Sequence, residues 1–181
     1  MFGKVRGVCL YLWVALLVGV DQIVKVWILN NFKDDSVVII KNVLKFTYCE
    51  NKGVAFSFGD GHVPVFIIVN LLMICGLVIY FEKNREEFKS LAKVFFIMTI
   101  AGGISNVIDR IFRGFVVDFI NFNDIVNFAI FNVADIFIVV GVIGLACCFI
   151  FKGIKENGIK KKSYCIYLNI CNSHIFFLRK Y

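Results

Sequence analysis

From Val63 to Phe81 the chain runs for 19 residues without a charged side chain. A run of that length spans the hydrocarbon core of a bilayer and is too apolar for the surface of a soluble domain. Pro64 opens it at a position where a missing N–H costs nothing. Three more segments have similar reach, at about 7–29, 91–111 and 125–151. The first starts like a secretory signal, but Val18-Gly19-Val20 is a poor cleavage site. The apolar pattern continues through Asp21-Gln22-Ile23-Val24-Lys25 to Leu29, so it reads as a retained helix. A mean hydropathy of +0.82 and 21 Phe in 181 residues fit the same class. The expectation is an all-α membrane protein of four transmembrane helices, one domain over 1–162, with a tail at 163–181 to which no role is assigned.

Between the first two helices, residues 33–62 change character. Val37–Ile40 and Val43–Tyr48 are β-branched and aromatic runs separated by Lys41-Asn42, which predicts two short strands and a turn. Asn51-Lys52-Gly53 is a turn signal, with Gly53 suited to a positive φ or a close backbone approach. Phe56 and Phe58 suit a platform lying on the membrane surface. The net charge of +7 excludes less than it first suggests. The basic residues sit at the ends of apolar runs, a topology pattern rather than a nucleic-acid face. Lys4, Arg6, Lys83, Arg85, Lys89 and the lysines from Lys152 onward mark one side. The loop Gly114–Asp124 has none, although the platform carries Lys33, Lys41, Lys45 and Lys52. Both termini are then expected in the cytoplasm and the platform outside.

Ionisable groups are costly in such a chain and need a reason. They concentrate in Gly102–Asp135, with Asp109, Arg110, Arg113, Asp118, Asp124 and Asp135. Asp135 is expected one to two turns inside the fourth helix, too deep in an apolar run to be a helix cap. Asn132 precedes it by three residues and would share its helical face. Asp118, taken alone, reads equally well as a solvated loop acid. As a pair, two carboxylates sharing one proton could activate a water and protonate a leaving group. Asn106, Asp109, Arg110 and Arg113 stand at helical spacing and read as an ion-pair network bracing a helix end. Gly102-Gly103 permits close helix packing. Asp124 reads as a loop acid or a cap. Asp21 and Lys25, four apart, neutralise one another as an internal strut. Seven Cys come without CxxC or HExxH and with two His only, so a zinc centre is not expected.

These residues fall into stretches that resemble the lipoprotein signal peptidases, the type II signal peptidases of bacteria. The stretches are Asp21–Lys25, Asn51-Lys52-Gly53-Val54-Ala55-Phe56-Ser57, Gly102–Arg110, Gly114–Ile120 and Phe131–Asp135, in the family's order across about Leu10 to Phe151. The resemblance implies that Asp118 and Asp135 are catalytic. It implies that Asp21, Lys25, Asn51, Gly53, Asn106, Asp109, Arg110 and Asn132 support the site or contact substrate. It also implies a diacylglyceryl prolipoprotein substrate cut before its lipidated Cys at the outer face of the cytoplasmic (inner) membrane. No metal, cofactor, nucleic acid or obligate protein partner is implied. Ser105 departs from the family, standing where a glycine is usual. Three rival readings make different demands. An ion carrier would place its acids near the midplane, an assembly subunit would need no acid pair, and a serine or zinc protease lacks its residues here.

Overall fold

A computed structural model describes residues 2–33, 35–53, 62–122, 125 and 128–153, with side chains from Cys9 onward. Helix α1 is Phe2–Asn31, α2 Val63–Lys83 and α3 Ser90–Arg113. A fourth, α4, spans Val133–Gly153. All four are long and apolar enough to cross a membrane. The chain divides into two compact units, Met1–Ile143 and Gly144–Tyr181. Of the second, the last ten residues of α4 are described. The expected architecture, four membrane helices with a small β element, is the observed one. Phe56, Phe58, Asp124 and the tail at 163–181 lie outside the described residues.

The β element is larger than the sequence suggested. Strands β1 (Ser36–Ile40) and β2 (Leu44–Asn51) form the expected hairpin, with Asn42 at φ 59° in its turn. A third strand, β3 (Val116–Asn121), follows α3 and pairs antiparallel with β2. The segment 116–121 was read as part of an outer loop; it is a strand, because Val116, Val117, Phe119 and Ile120 are β-branched or aromatic and find a free sheet edge. Alternation along β3 then separates two jobs. Val117 and Phe119 pack with Ile28 of α1 in a buried cluster, with Phe46 of β2 against it. Asp118 points the other way. Gly114 makes the turn into β3, with φ 80° and its N–H donating to the Arg110 carbonyl (3.2 Å).

The fourth helix starts at Val133, not at Ile125. Just ahead of it, Phe131 serves the sheet instead, forming an isolated bridge to Ile120 with backbone hydrogen bonds of 2.8 and 3.2 Å. A continuous apolar run cannot by itself distinguish a buried helix from a strand-like segment. This bridge brings the chain ahead of Asp135 against the end of the strand that carries Asp118.

Helix α3 is the most enclosed of the four, buried from Ala92 to Arg110 along its inner stripe. Near one end, Phe81 of α2 stacks on Phe96 at 4.2 Å between ring centroids. At Gly102 the backbones of α3 and α4 touch. A Cβ there would lie 2.8 Å from Ile138 Cγ1 and closer still to the Ala134 carbonyl oxygen. Backbone atoms cannot yield as a flexible side chain does. Gly102→Ala is therefore expected to destabilise the protein by about 1–3 kcal/mol, the usual cost of overpacking. Thermal unfolding in detergent checks this, with Gly76→Ala, which meets open space, as the control.

Candidate active site

Lys25 is fully buried. Its ammonium donates to Asp21 Oδ2 (2.8 Å), Asp109 Oδ2 (2.8 Å) and Asn106 Oδ1 (2.9 Å), which uses all three of its protons. Asp21 and Asp109 are equally enclosed. Each uses a remaining acceptor to hold a backbone N–H. Asp21 Oδ1 accepts from Ala134 N–H (2.9 Å) at the start of α4, and Asp109 Oδ2 accepts from Val117 N–H (3.3 Å) in β3. Each of those residues is the immediate neighbour of one of the two predicted acids. The pairing of Asp21 with Lys25 is thus part of a wider device that also takes in Asp109.

Around this core the network is nearly saturated. The Ser105 hydroxyl donates to Asp21 Oδ2 (2.6 Å) and accepts from Gln22 Nε2 (2.9 Å). Serine at this position therefore gives the Asp21 carboxylate one more donor. Asp109 also pairs with Arg113 and accepts from Gln22. The network expected over Asn106, Asp109, Arg110 and Arg113 divides in two. Asp109 and Arg113 do brace α1 against α3, whereas Asn106 and Arg110 face a cavity of about 560 Å³. The Arg110 guanidinium donates to the Gly53 carbonyl (2.7 Å), and Gly53 N–H donates to Asn51 Oδ1 (3.1 Å).

Asp118 and Asp135 both line that cavity. Asp135 is in the first turn of α4, not one or two turns inside, and it does take part in capping the helix. Asn132 Oδ1 accepts from Asp135 N–H (3.0 Å), and Asp135 Oδ2 accepts from Asn132 N–H (3.1 Å). This is the reciprocal arrangement of a capping box with aspartate at its fourth position. Asn132 is accordingly the cap itself and not a face-sharing helical neighbour. The Asn132 side-chain amide then donates to Asp118 Oδ1 (2.6 Å), so one residue holds both acids. Asn106 Nδ2 donates to the other Asp135 oxygen (2.8 Å), and Asn51 Nδ2 to the other Asp118 oxygen (2.9 Å). Each carboxylate oxygen thus has one protein donor and keeps a lone pair for the cavity.

Burial above all, then the neighbouring charge of Asp135, pushes the Asp118 carboxyl up to about 7. Hydrogen bonds from Asn51 and Asn132 and the charge of Lys25 act in the opposite direction without cancelling this. Cys49 stands across the β2–β3 ladder from Asp118. Burial and the Asp118 charge push its thiol up, which removes thiolate character and with it a nucleophilic role. Among the described residues, no three His, Cys, Asp or Glu side chains converge where a metal ion could sit.

All ten residues singled out in the sequence belong to one connected cluster. Sequence reasoning missed Asn70 of α2, which lines the same cavity. The available signal was simple: it is the one carboxamide between Val63 and Phe81. The other cavity walls are largely apolar, with Phe128 and Phe131 ahead of α4 and Ile136 and Val139 along it. The site is therefore an acid pair set in an amide cage beside an apolar slot.

This geometry has relatives. The family model described as signal peptidase II matches residues 13–151. A lipoprotein signal peptidase of Clostridioides difficile is 40% identical over 140 residues, covering 76% of this chain and 92% of that protein. One from Streptococcus thermophilus is 39% identical over 155 residues, covering 84% and 97%. Two solved structures described as bacterial membrane enzymes, obtained by the in meso method, superpose with TM-scores of 0.68 and 0.69 at 30% and 32% identity. They cover 82% and 78% of this chain, and 89% and 92% of their own. The chain belongs to the signal peptidase II family and is a multi-pass membrane protease.

Proposed function

We propose that this protein is an aspartic endopeptidase that removes the signal peptide from diacylglyceryl-modified prolipoproteins, cutting before the lipidated Cys. The observation that carries the reading is the shared grip of Asn132 on Asp118 and Asp135 beside an apolar cavity. A substrate with acyl chains and a hydrolysable peptide bond needs both surfaces, and the curated relatives are named for this reaction.

In the proposed mechanism the pair holds one proton. The ionised carboxylate takes a proton from a water, whose oxygen attacks the scissile carbonyl carbon. The protonated carboxyl donates to the carbonyl oxygen, giving a neutral gem-diol. Collapse returns a hydroxyl proton to a carboxylate, the other acid protonates the leaving nitrogen, and the C–N bond breaks. The products are a signal-peptide carboxylate and the ammonium of the lipidated Cys, the proton of the new carboxyl passing to the amine, with the pair again holding one proton. The shared proton belongs to the coupled pair and not to either acid alone. Arg110, Asn51 and Gly53 stand at the cavity wall, placed to orient the peptide.

The same reading sets the protein in the cytoplasmic (inner) membrane of a bacterium, with both termini inside and the acids near the outer face. The positive flanks at Lys83, Arg85 and Lys89 and the absence of Lys and Arg from Gly114–Asp124 support it. An ion carrier is less well supported, because Asp135 sits in the first turn of α4, not mid-helix.

Asp118→Asn and Asp135→Asn should each reduce cleavage of a purified diacylglyceryl prolipoprotein by on the order of 10³-fold or more, as expected when a paired acid–base group is lost. The proteins should still insert and fold, since an amide keeps the shape. Cleavage by either variant within tenfold of wild type would overturn the dyad.

The pH dependence has a defined sign. With Asp118 raised from 3.8 to about 7, the folded state holds more protons than the unfolded chain across that interval. Stability should therefore fall as pH rises from about 4 to 7 and level off above, and Asp118→Asn should remove that slope in melting curves. For the wild type, kcat/KM should decline on the alkaline side through about 7, where the pair loses its shared proton.

A further inference from the structure

The cavity wall contributed by α2 has no part in the chemistry above, yet it carries one carboxamide. Asn70 is half-buried and faces the cavity, while Ile68, Leu72 and Met73 beside it are exposed on the membrane side of the helix. Two contacts fix its height. Four residues earlier, the Phe66 ring lies 5.8 Å from the Arg110 guanidinium carbon. Four residues later, Ile74 packs over Gly103, where a Cβ would meet its Cδ1 at 3.1 Å. Phe66, Asn70 and Ile74 form one i, i+4, i+8 stripe facing α3. The stripe runs antiparallel to Arg110, Asn106 and Gly103, which places Asn70 at the level of Asn106. Asn106 in turn holds Asp135.

Among the described residues the Asn70 carboxamide makes no hydrogen bond, unlike the Asn51, Asn106 and Asn132 amides around the same cavity. An amide left within an apolar span is unfavourable unless something satisfies it. Resting on the peptidase reading, we propose that Asn70 binds substrate, its carboxamide pairing with a backbone peptide group of the signal peptide at the level of the acids. A carboxamide offers a donor and an acceptor side by side, which matches the N–H and C=O of an extended chain. An acyl ester offers acceptors only. Asn70 and Arg110 would then grip the peptide from the α2 and α3 sides, leaving the α4 side of the cavity beyond Asp135 to apolar groups.

The test uses full-length protein in detergent and a fluorescent diacylglyceryl prolipoprotein peptide, with affinity read by anisotropy in an Asp118→Asn background so that the peptide is not consumed. Asn70→Leu, similar in volume and better suited to lipid, should weaken binding on the order of tenfold, the scale of one lost hydrogen-bonded pair. Asn70→Thr, which keeps a donor and an acceptor, should weaken it less, and both should melt like the parent. Should the leucine variant melt early, the threonine variant decides: weaker binding at an unchanged melting temperature supports the proposal. Unchanged affinity in the folded variants overturns it. A matched peptide carrying S-alkyl chains without esters should be weakened equally. If only the ester-bearing peptide is affected, the contact is to the lipid ester and the backbone assignment is wrong. Cleavage by the otherwise wild-type enzyme is scored separately. Asn70-dependent binding without cleavage would sink the peptidase reading and keep this one, whereas cleavage with Asn70-independent binding would do the reverse. Neither binding nor cleavage by folded protein would sink both.

Discussion

The structure depends on one buried cation. Lys25 pairs with both Asp21 and Asp109, Arg113 supplying the second positive charge, and each of those acids clamps the backbone beside one member of the proposed dyad. The third proton of Lys25 goes to Asn106, which fixes Asp135 directly. A single ammonium thus helps to set the positions of α4 and β3, together with the Phe131–Ile120 bridge and the Asn132–Asp118 hydrogen bond. The arrangement is costly, because three desolvated charges must be repaid by geometry. Breaking such a pair by removing one partner typically costs about 3–5 kcal/mol. Lys25 is far in sequence from both acids, so the site is a property of the whole fold.

Much of this was visible in the residues and some was not. The four spans follow from length and apolarity, and the β1–β2 hairpin from its β-branched runs and turn. Asp135 was legible as a site residue because a carboxylate beside an apolar helix demands an explanation. Its position was misjudged for a physical reason. Phe128–Phe131 is apolar because it lines the cavity and, at Phe131, pairs with the sheet, and composition cannot separate that use from a helical one. The spacing of Asn132 and Asp135 carried the correction, since it is a capping pattern once aspartate is allowed for glutamate. Asp118 was ambiguous alone because its meaning comes from a sheet edge supplied by β2, sixty-odd residues earlier. No local pattern encodes such a pairing.

Amides do most of the positioning. Asn51, Asn106 and Asn132 each donate to an oxygen of Asp118 or Asp135, and Asn132 reaches both acids. Neutral donors hold a carboxylate in place without fixing its charge, as an arginine at the same distance would. That choice suits a pair that, in the proposed mechanism, exchanges a proton during each turnover. The charged groups stay one step removed, with Lys25 behind the amides and Arg110 turned toward Gly53.

The central claim is that Asp118 and Asp135 hold a shared proton near neutral pH. Infrared titration of the purified protein, with isotope-labelled aspartate to identify the carboxyl band, tests this most directly. The account predicts a protonated aspartate carboxyl stretch that is present on the acid side, disappears with a midpoint near 7, and is missing in Asp118→Asn. A wild-type protein with no such band at pH 6, both acids already ionised, would contradict it.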